Sequence, residues 1–188
     1  MFRLIFLVFT GCSSMFFSPA TSVLNVYDVY SVSKDERDMG SITKDKYLQT
    51  KIRSKILFTK GLSSFDIEVE VFYGDVFLLG LVDTKELEEM LVKLAVDTDG
   101  VRSVNTYIKI KQASYPCSSL AILTNLKQNL FTDSVVDGTN VRVAVVGCDV
   151  VFSGVVNSIE QEKHAIWYAT HIEGVKSVQS FLRVTSRK

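Results

Sequence analysis

Histidines, cysteines and clustered carboxylates are the side chains of this 188-residue protein that could do chemistry, and their spacing argues against a catalytic site. His164 and His171 lie seven residues apart in a helical pattern, which separates them by about 10 Å at ~1.5 Å per residue, too far to share a metal ion. The acidic group at 86–89 starts a predicted helix, where the helix dipole favours negative charge. No nucleophile–base pair is visible. We expect no enzyme activity, no metal, no cofactor and no small-molecule substrate.

The amino-acid composition excludes several further classes of protein. Lys and Arg number 21 against 21 Asp and Glu, so the net charge is zero, which argues against a nucleic-acid partner held by bulk positive charge. Hydrophobic residues make up 47% and Pro occurs only twice, which excludes a disordered chain. Three Cys are too few for a disulfide scaffold and too scattered for a zinc site.

The N-terminus has the pattern of an export signal. Arg3 precedes the apolar run 4–9, and Thr10-Gly11 leads into Cys12. The run is far shorter than the ~18 apolar residues that span a bilayer. We therefore predict a signal peptide at 1–11 and, because no period of 2 or 3.6 runs through it, a tether at 12–43.

Thr10-Gly11-Cys12 resembles the lipobox of bacterial lipoproteins, in which the Cys is acylated after cleavage. The resemblance implies lipidation at Cys12. Ser13 and Ser14 follow it with no Asp, which resembles the sorting pattern for the outer membrane. The alternatives are an ordinary cleaved signal, or a misassigned start codon with Cys12 incidental.

An internal repeat is the most informative feature of the chain. Residues 45–111 align without a gap with 119–185, at an offset of 74, and 14 of the 67 positions are identical. Each copy reads as helix, strand, strand, helix, strand. The predicted fold is therefore α+β: two tandem αββαβ units, each with two helices on one face of a three-stranded mixed sheet. The predicted bounds are 44–111, a linker at 112–117, and 118–188.

The motifs of copy one resemble the BON domain. They are the run 74–80, Gly-Asp-Val-Phe-Leu-Leu-Gly, and then 100–104, Gly-Val-Arg-Ser-Val. Copy two keeps most of this pattern but has Cys148 where the first Gly is expected, beside Gly147. Two such units behind a lipobox are similar to dual BON-domain lipoproteins of Gram-negative bacteria. The resemblance implies a non-enzymatic protein on the periplasmic face of the outer membrane that binds anionic phospholipid surfaces and maintains envelope integrity.

Cys117 and Cys148 raise one further hypothesis. In the predicted topology the first strand of copy two runs back toward the helix start, so both Cys lie at the same end of the domain. A disulfide is then geometrically possible, and two unpaired thiols are the alternative that we favour.

Two helices are candidate lipid contacts. The first helix of copy two has an apolar arc of roughly 180°, wider than a core-facing helix needs; its proposed contacts are Leu120, Leu123, Lys127 and Phe131. The first helix of copy one is a second, basic candidate, with Lys44, Lys46, Lys51, Arg53 and Lys55. The outer sheet face of copy one is also too apolar for water, which suggests domain–domain contact. The alternative function is an adaptor that engages envelope proteins through these apolar sheet faces.

Overall fold

The computed structural model describes residues 37–136 and 141–185. The predicted signal peptide, Cys12 and the tether as far as residue 36 lie outside the described residues. The elements of copy one are α1 (Met39–Phe58), β1 (Ile67–Phe72), β2 (Asp75–Val82), α2 (Lys85–Val96) and β3 (Ser103–Ile110). Those of copy two are α3 (Ser119–Thr132), β4 (Val141–Val146), β5 (Asp149–Val156), α4 (Ile159–Thr170) and β6 (Ser177–Val184).

The structure confirms the predicted α+β repeat. Every strand, and the second helix of each copy, recurs at the offset of 74 residues. In each sheet the central strand pairs antiparallel with the first strand and parallel with the third. Thr84 and Ser158 cap α2 and α4, with each hydroxyl accepting a backbone N–H three residues later. The two copies therefore share one architecture.

The first helix is where the copies differ in length. Asp38 caps α1 through its carboxylate, and the helix begins at Met39, six residues before the point that matches the start of α3. The predicted domain start at residue 44 thus falls inside α1. The buried stripe Leu48, Ile52 and Ile56 packs on the sheet, as its spacing predicts.

The two sheets pack against each other by the faces that do not carry helices. Phe72, Phe77 and Leu79 of copy one form one apolar cluster with Val151 and Val155 of copy two. The expected domain–domain contact is therefore present. The order of layers is helices, sheet, sheet, helices, so the helix pairs lie on opposite outer sides of the molecule.

Two reciprocal ion pairs cross this interface. Lys109 of β3 binds Asp149 of β5, and Arg183 of β6 binds Asp75 of β2. These are equivalent residues at the repeat offset, so the contact is isologous, as in a twofold homodimer. Each copy therefore contributes the same interface positions, once as the cation and once as the carboxylate.

Both carboxylates of these ion pairs are buried and charged. Burial raises the pKa of Asp75, but hydrogen bonds from Arg183 and Ser103 outweigh it and hold the pKa below its ordinary value. The pKa of Asp149 is lowered in the same way, by Lys109 against burial. The interface thus depends on ionised carboxylates.

The hairpin turn of copy one is anchored to α1 by charge. Asp45, 4% exposed, accepts the backbone N–H groups of Tyr73 at 2.7 Å and Gly74 at 2.9 Å. The buried guanidinium of Arg37 pairs with the same carboxylate and stacks 4.8 Å from the centre of the Phe72 ring. Arg37 and Asp38, which the sequence placed in the tether, are thus part of the folded domain.

The matching turn of copy two is anchored covalently. Cys117 and Cys148 form a disulfide, so the structure adopts the pairing rather than the two unpaired thiols that we favoured from sequence. Ser119 stands at the position of Asp45, and its hydroxyl donates to the carbonyl of Gly147 at 2.8 Å. The disulfide ties the segment before α3 to the β4–β5 turn, as Asp45 ties α1 to the β1–β2 turn.

Candidate functional site

The outer surfaces of the four helices are the exposed parts of the layered fold. Because the sheet faces are buried against each other, large exposed apolar side chains concentrate on helices and on the loops beside them. None of the helices in the described part of the chain has the apolar length that a bilayer span requires. A surface site on the helices is therefore where a ligand of this fold would make contact.

Copy one has an aromatic and cationic groove between α1 and α2. Tyr47 and Phe58, 69% and 85% exposed, lie eleven residues apart, which places them on one side of α1 about 16 Å apart. Lys51 and Lys55 lie between them, and Leu94 of α2 closes the groove, whose volume is about 700 Å³. Exposed aromatic rings beside lysines form a surface with both apolar and cationic character.

The two lysines of this groove are held in place by the loop after α2. The ammonium group of Lys51 lies 3.7 Å from a carboxylate oxygen of Asp99, and Lys55 donates to the hydroxyl of Thr98 at 2.7 Å. Both lysines are half-buried. Their stems therefore line the groove while the amino groups remain at its edge.

The basic residues of α1 lie on two sides of the helix, as their spacing around the apolar stripe predicts. Lys51 and Lys55 line the groove, and Lys44 borders it beside Tyr47. Lys46 and Arg53 instead line a polar crevice between the copies, of about 230 Å³, together with Glu68, Glu70 and Arg142. Helical spacing separates the two groups, but it does not show which of the two sides copy two approaches.

The predicted contact on α3 is only partly exposed. Leu120 and Phe131 are 54% and 44% exposed, as a surface contact requires. Leu123 packs against the core of copy two, and Lys127 is 7% exposed, at the crevice beside copy one. Lys127 therefore does not lie on the exposed face predicted for it, because the helix side that carries it is covered by the other copy.

The most exposed aromatic residue of copy two is on α4, outside the two helices proposed as lipid contacts. Trp167 is 55% exposed, and its ring lies 4.3 Å from the ring of His171. Lys163, His164 and Tyr168 surround it. The signal was present in the sequence, where a Trp occupies the position of the exposed Lys93 of copy one.

Asp133 fixes the end of α3 beside this group. Its carboxylate accepts the hydroxyl of Tyr168 at 2.7 Å and lies 3.7 Å from Nδ1 of His164. Burial raises the pKa of Asp133, but backbone N–H groups and Tyr168 hold it below the ordinary value. In turn, the hydrogen bond to Asp133 raises the pKa of the Tyr168 hydroxyl. This constellation positions side chains and contains no nucleophile paired with a base.

Comparison with known proteins places the architecture in a family. The model of the BON domain matches residues 44–112 and 119–186. Osmotically-inducible protein Y of Escherichia coli (strain K12) is 27% identical over 157 residues, which are 81% of this chain and 78% of that protein. An uncharacterized protein in the gshII 5' region of Anaplasma centrale is 20% identical over 93 residues, 50% of this chain and 62% of that protein.

Solved structures give a weaker match. The C-terminal domain of CdsD, a structural protein of the type III secretion system of Chlamydia trachomatis, aligns with a TM-score of 0.32 at 14% identity. That alignment covers 75% of this chain and 67% of the other.

Proposed function

Because the chain belongs to the BON-domain family, with two copies in tandem, we propose that it is a non-enzymatic envelope protein that binds anionic phospholipid surfaces and helps to maintain outer-membrane integrity. The observation that carries the proposal is the groove of copy one, where exposed Tyr47 and Phe58 flank two lysines. The name of its Escherichia coli relative supports a role under osmotic stress.

The chemistry of this groove suits the boundary between lipid headgroups and acyl chains. Aromatic rings are favoured at that depth, and lysine stems extend along apolar surface while their ammonium groups reach phosphates. Each Lys or Arg near an anionic surface contributes about 1 kcal/mol at physiological salt. Lys44, Lys51 and Lys55 together would supply about 3 kcal/mol, a useful but reversible affinity.

Lipidation would make this weak contact permanent. Cys12 is the proposed acylation site, and the protein would then be held on the periplasmic face of the outer membrane. Each buried CH₂ contributes about 0.8 kcal/mol, so more than one acyl chain gives stable anchoring. Intact mass of the protein extracted from membranes tests this: cleavage before Cys12 with added acyl mass is expected, and an unmodified Cys12 would exclude the anchor.

Vesicle sedimentation tests lipid binding separately from the anchor. The full chain carrying Cys12→Ser, which cannot be acylated, should pellet with vesicles rich in phosphatidylglycerol and not with phosphatidylcholine alone. Binding should weaken as salt is raised, because exposed charges are screened. No pelleting with anionic vesicles at low salt would contradict the proposed function.

The variant Lys44→Gln with Lys51→Gln locates the contact. Loss of two charges should weaken binding about 30-fold, from ~2 kcal/mol at ~1 kcal/mol per charge. The matched control is Lys85→Gln with Lys176→Gln, which removes two exposed lysines away from the groove. Equal weakening by both pairs would mean that net charge, and not this groove, determines binding.

The adaptor alternative requires exposed apolar sheet faces, and in this fold those faces are buried between the copies. Phe72, Phe77 and Leu79 are each at most 6% exposed, because the sheet of copy two covers them. A partner that uses these faces would first have to separate the two copies. We therefore retain lipid binding as the proposed function.

A further inference from the structure

We infer that the polar crevice between the two copies is a binding site for a small tetrahedral dianion, inorganic phosphate or sulfate, which cations from both copies hold. The crevice lies on the side of α1 that copy two approaches, and no described residue lines both the crevice and the groove proposed for lipid. This inference therefore goes beyond the proposed function and does not depend on it.

The charges that line the crevice do not balance. Of the described lining residues, four are cations and two are carboxylates: Lys46, Arg53, Lys127 and Arg142, and Glu68 and Glu70. Four positive charges against two negative charges leave a formal excess of two positive charges. Water screens this excess only partly, because Lys127 is 7% exposed and the side chains of Arg142 and Glu70 are 11% and 12% exposed. An anion with two charges would compensate the excess where solvent does so least.

The imbalance comes from one difference between the copies. Arg142 stands at the position of Glu68 in the repeat, so a carboxylate in copy one becomes a cation in copy two. With a carboxylate at position 142, the same lining would hold three charges of each sign. Arg53 and Lys127 are also equivalent positions, and the isologous contact brings them to one crevice. Each copy therefore supplies a cation at this position, and the contact between the copies doubles the local charge.

Contacts within the protein hold the side chains of the crevice in position. The Glu70 carboxylate lies 3.2 Å from Nε2 of the buried Gln49 and 3.8 Å from Nε of Arg142. The Gln49 amide also donates to the carbonyl of Val69 and accepts from the ammonium group of Lys46 at 3.0 Å. Ordered side chains lose little conformational entropy on binding, so the crevice is preorganised for an anion.

The size of the crevice selects a small ligand. A volume of about 230 Å³ corresponds to roughly seven waters at ~30 Å³ each. Phosphate or sulfate fits this space with a few waters, whereas a nucleotide or a whole phospholipid is larger than it. Arg53 and Arg142 supply guanidinium groups, which can bind two oxygens of such an anion at once. A free dianion also suits the excess charge better than a lipid headgroup, whose phosphodiester has a single charge.

An anion held by both copies would stabilise their contact. It binds fully only when the sheets are packed, because Arg53 and Arg142 belong to different copies. Binding to the packed form alone shifts the equilibrium toward that form as the anion concentration rises. The interface would then respond to the surrounding phosphate or sulfate, in addition to its own ion pairs Lys109–Asp149 and Arg183–Asp75.

Nuclear magnetic resonance of the full, ¹⁵N-labelled chain with Cys12→Ser tests the site. Inorganic phosphate is added at mildly alkaline pH while sodium chloride keeps the ionic strength constant, so that general screening does not change. The backbone N–H signals of residues 49–53 and 142–143 should shift and saturate. The thermal midpoint should rise by about 3–5 °C at ~10 times the dissociation constant.

Three variants locate the site. Arg53→Gln removes an exposed lining cation and should weaken phosphate binding about tenfold or more, since a hydrogen bond to a charged group is lost. Glu68→Gln raises the excess charge and should tighten binding several-fold. The matched control Lys60→Gln removes an exposed lysine of copy one outside the crevice and should bind phosphate as the parent chain does.

Other results would contradict the inference. Absence of saturable shifts, or shifts spread over the whole surface, would exclude an anion site in the crevice. Equal weakening by Arg53→Gln and Lys60→Gln would mean that net charge attracts phosphate. Glycerophosphoglycerol, a soluble form of the phosphatidylglycerol headgroup, should bind several-fold more weakly than phosphate, and equal binding would assign the crevice to lipid headgroups. Vesicle sedimentation, which tests the proposed function, can fail without changing any of these results.

Discussion

The two copies hold the same turn by different chemistry. In copy one, the carboxylate of Asp45 binds two backbone N–H groups of the turn, and Arg37 covers it. In copy two, Ser119 takes the place of Asp45, and the Cys117–Cys148 disulfide makes the connection. One fold therefore accepts an ionic or a covalent link between its first helix and its first hairpin.

The difference shows that the fold needs a link between the first helix and the first hairpin turn, and that different chemical groups can form it. An ionic link depends on the charges of its two partners. If the link is buried, removal of either partner leaves the other charge buried without compensation. A disulfide depends on an oxidising compartment. The two anchors therefore depend on different conditions, and each can be removed by substitution without changing the residues of the other.

The largest effect is expected from Asp45→Ala. The substitution leaves the buried Arg37 guanidinium without this carboxylate and removes the acceptor of two backbone N–H groups, which should cost about 3–5 kcal/mol. Urea unfolding followed by circular dichroism measures the loss. Ser119→Ala, at the matching position, is the control and should cost about 1 kcal/mol. Equal losses would show that the two anchors are not different in kind.

Removal of the disulfide should have the next largest effect. Cys117→Ser with Cys148→Ser opens a sequence separation of 31 residues, which should cost about 3–4 kcal/mol. A reducing agent should lower the urea midpoint of the wild-type chain and leave this variant unchanged. Peptide masses that show two free thiols in the untreated protein would refute the covalent anchor.

Acid should weaken the interface that the copies share. Asp75 and Asp149 both have a pKa below the usual 3.8, so the unfolded chain takes up protons at higher pH than the folded one. Their contribution is complete above about pH 5 and is lost as pH falls through the lower native values, about 1–2 kcal/mol for both pairs. The double variant Asp75→Asn and Asp149→Asn should be less stable at neutral pH and lack this part of the acid dependence. A variant with unchanged acid dependence would exclude these carboxylates as its source.

The smallest expected effect concerns one hydrogen bond that only one half of the interface has. Tyr107 donates its hydroxyl to Asp149 at 3.0 Å, and Phe181 stands at the matching position without a hydroxyl. Tyr107→Phe should cost about 1 kcal/mol, because a hydrogen bond to a charged group is lost. The reverse change Phe181→Tyr should gain less, since Asp75 already has Arg183, Arg102 and Ser103 as partners. Differential scanning calorimetry of both variants would measure the asymmetry, and a larger gain at 181 than loss at 107 would contradict it.

The architecture could be predicted because it is repeated. The alternation in β1 shows which side of the strand faces the core. The stripe Leu48, Ile52 and Ile56 does the same for α1, and copy two repeats both patterns. The departure at Cys148 also has a local reason. Tyr73 and Gly74 both have positive φ in the first turn, whereas in the second only Gly147 does, so the next position accepts Cys.

The site residues were harder to predict because they depend on contacts between the copies. The helical spacing of Lys127 with Leu120 and Phe131 is real, but the crevice beside copy one covers Lys127. Lys46 and Arg53 lie on the side of α1 that the second copy approaches, whereas Lys51 lines the groove on the other side. Periodicity describes one helix against its own sheet and carries no information on what covers its flank.

Arg37 has a mechanical consequence. If the chain is held by its N-terminus, a pull that reaches Arg37 passes directly to Asp45. Because Asp45 also grips the β1–β2 turn, the load is shared between α1 and the hairpin instead of peeling the helix from its first residue. Copy two shares this load through the sheet interface, because the apolar cluster and the two ion pairs join it to copy one.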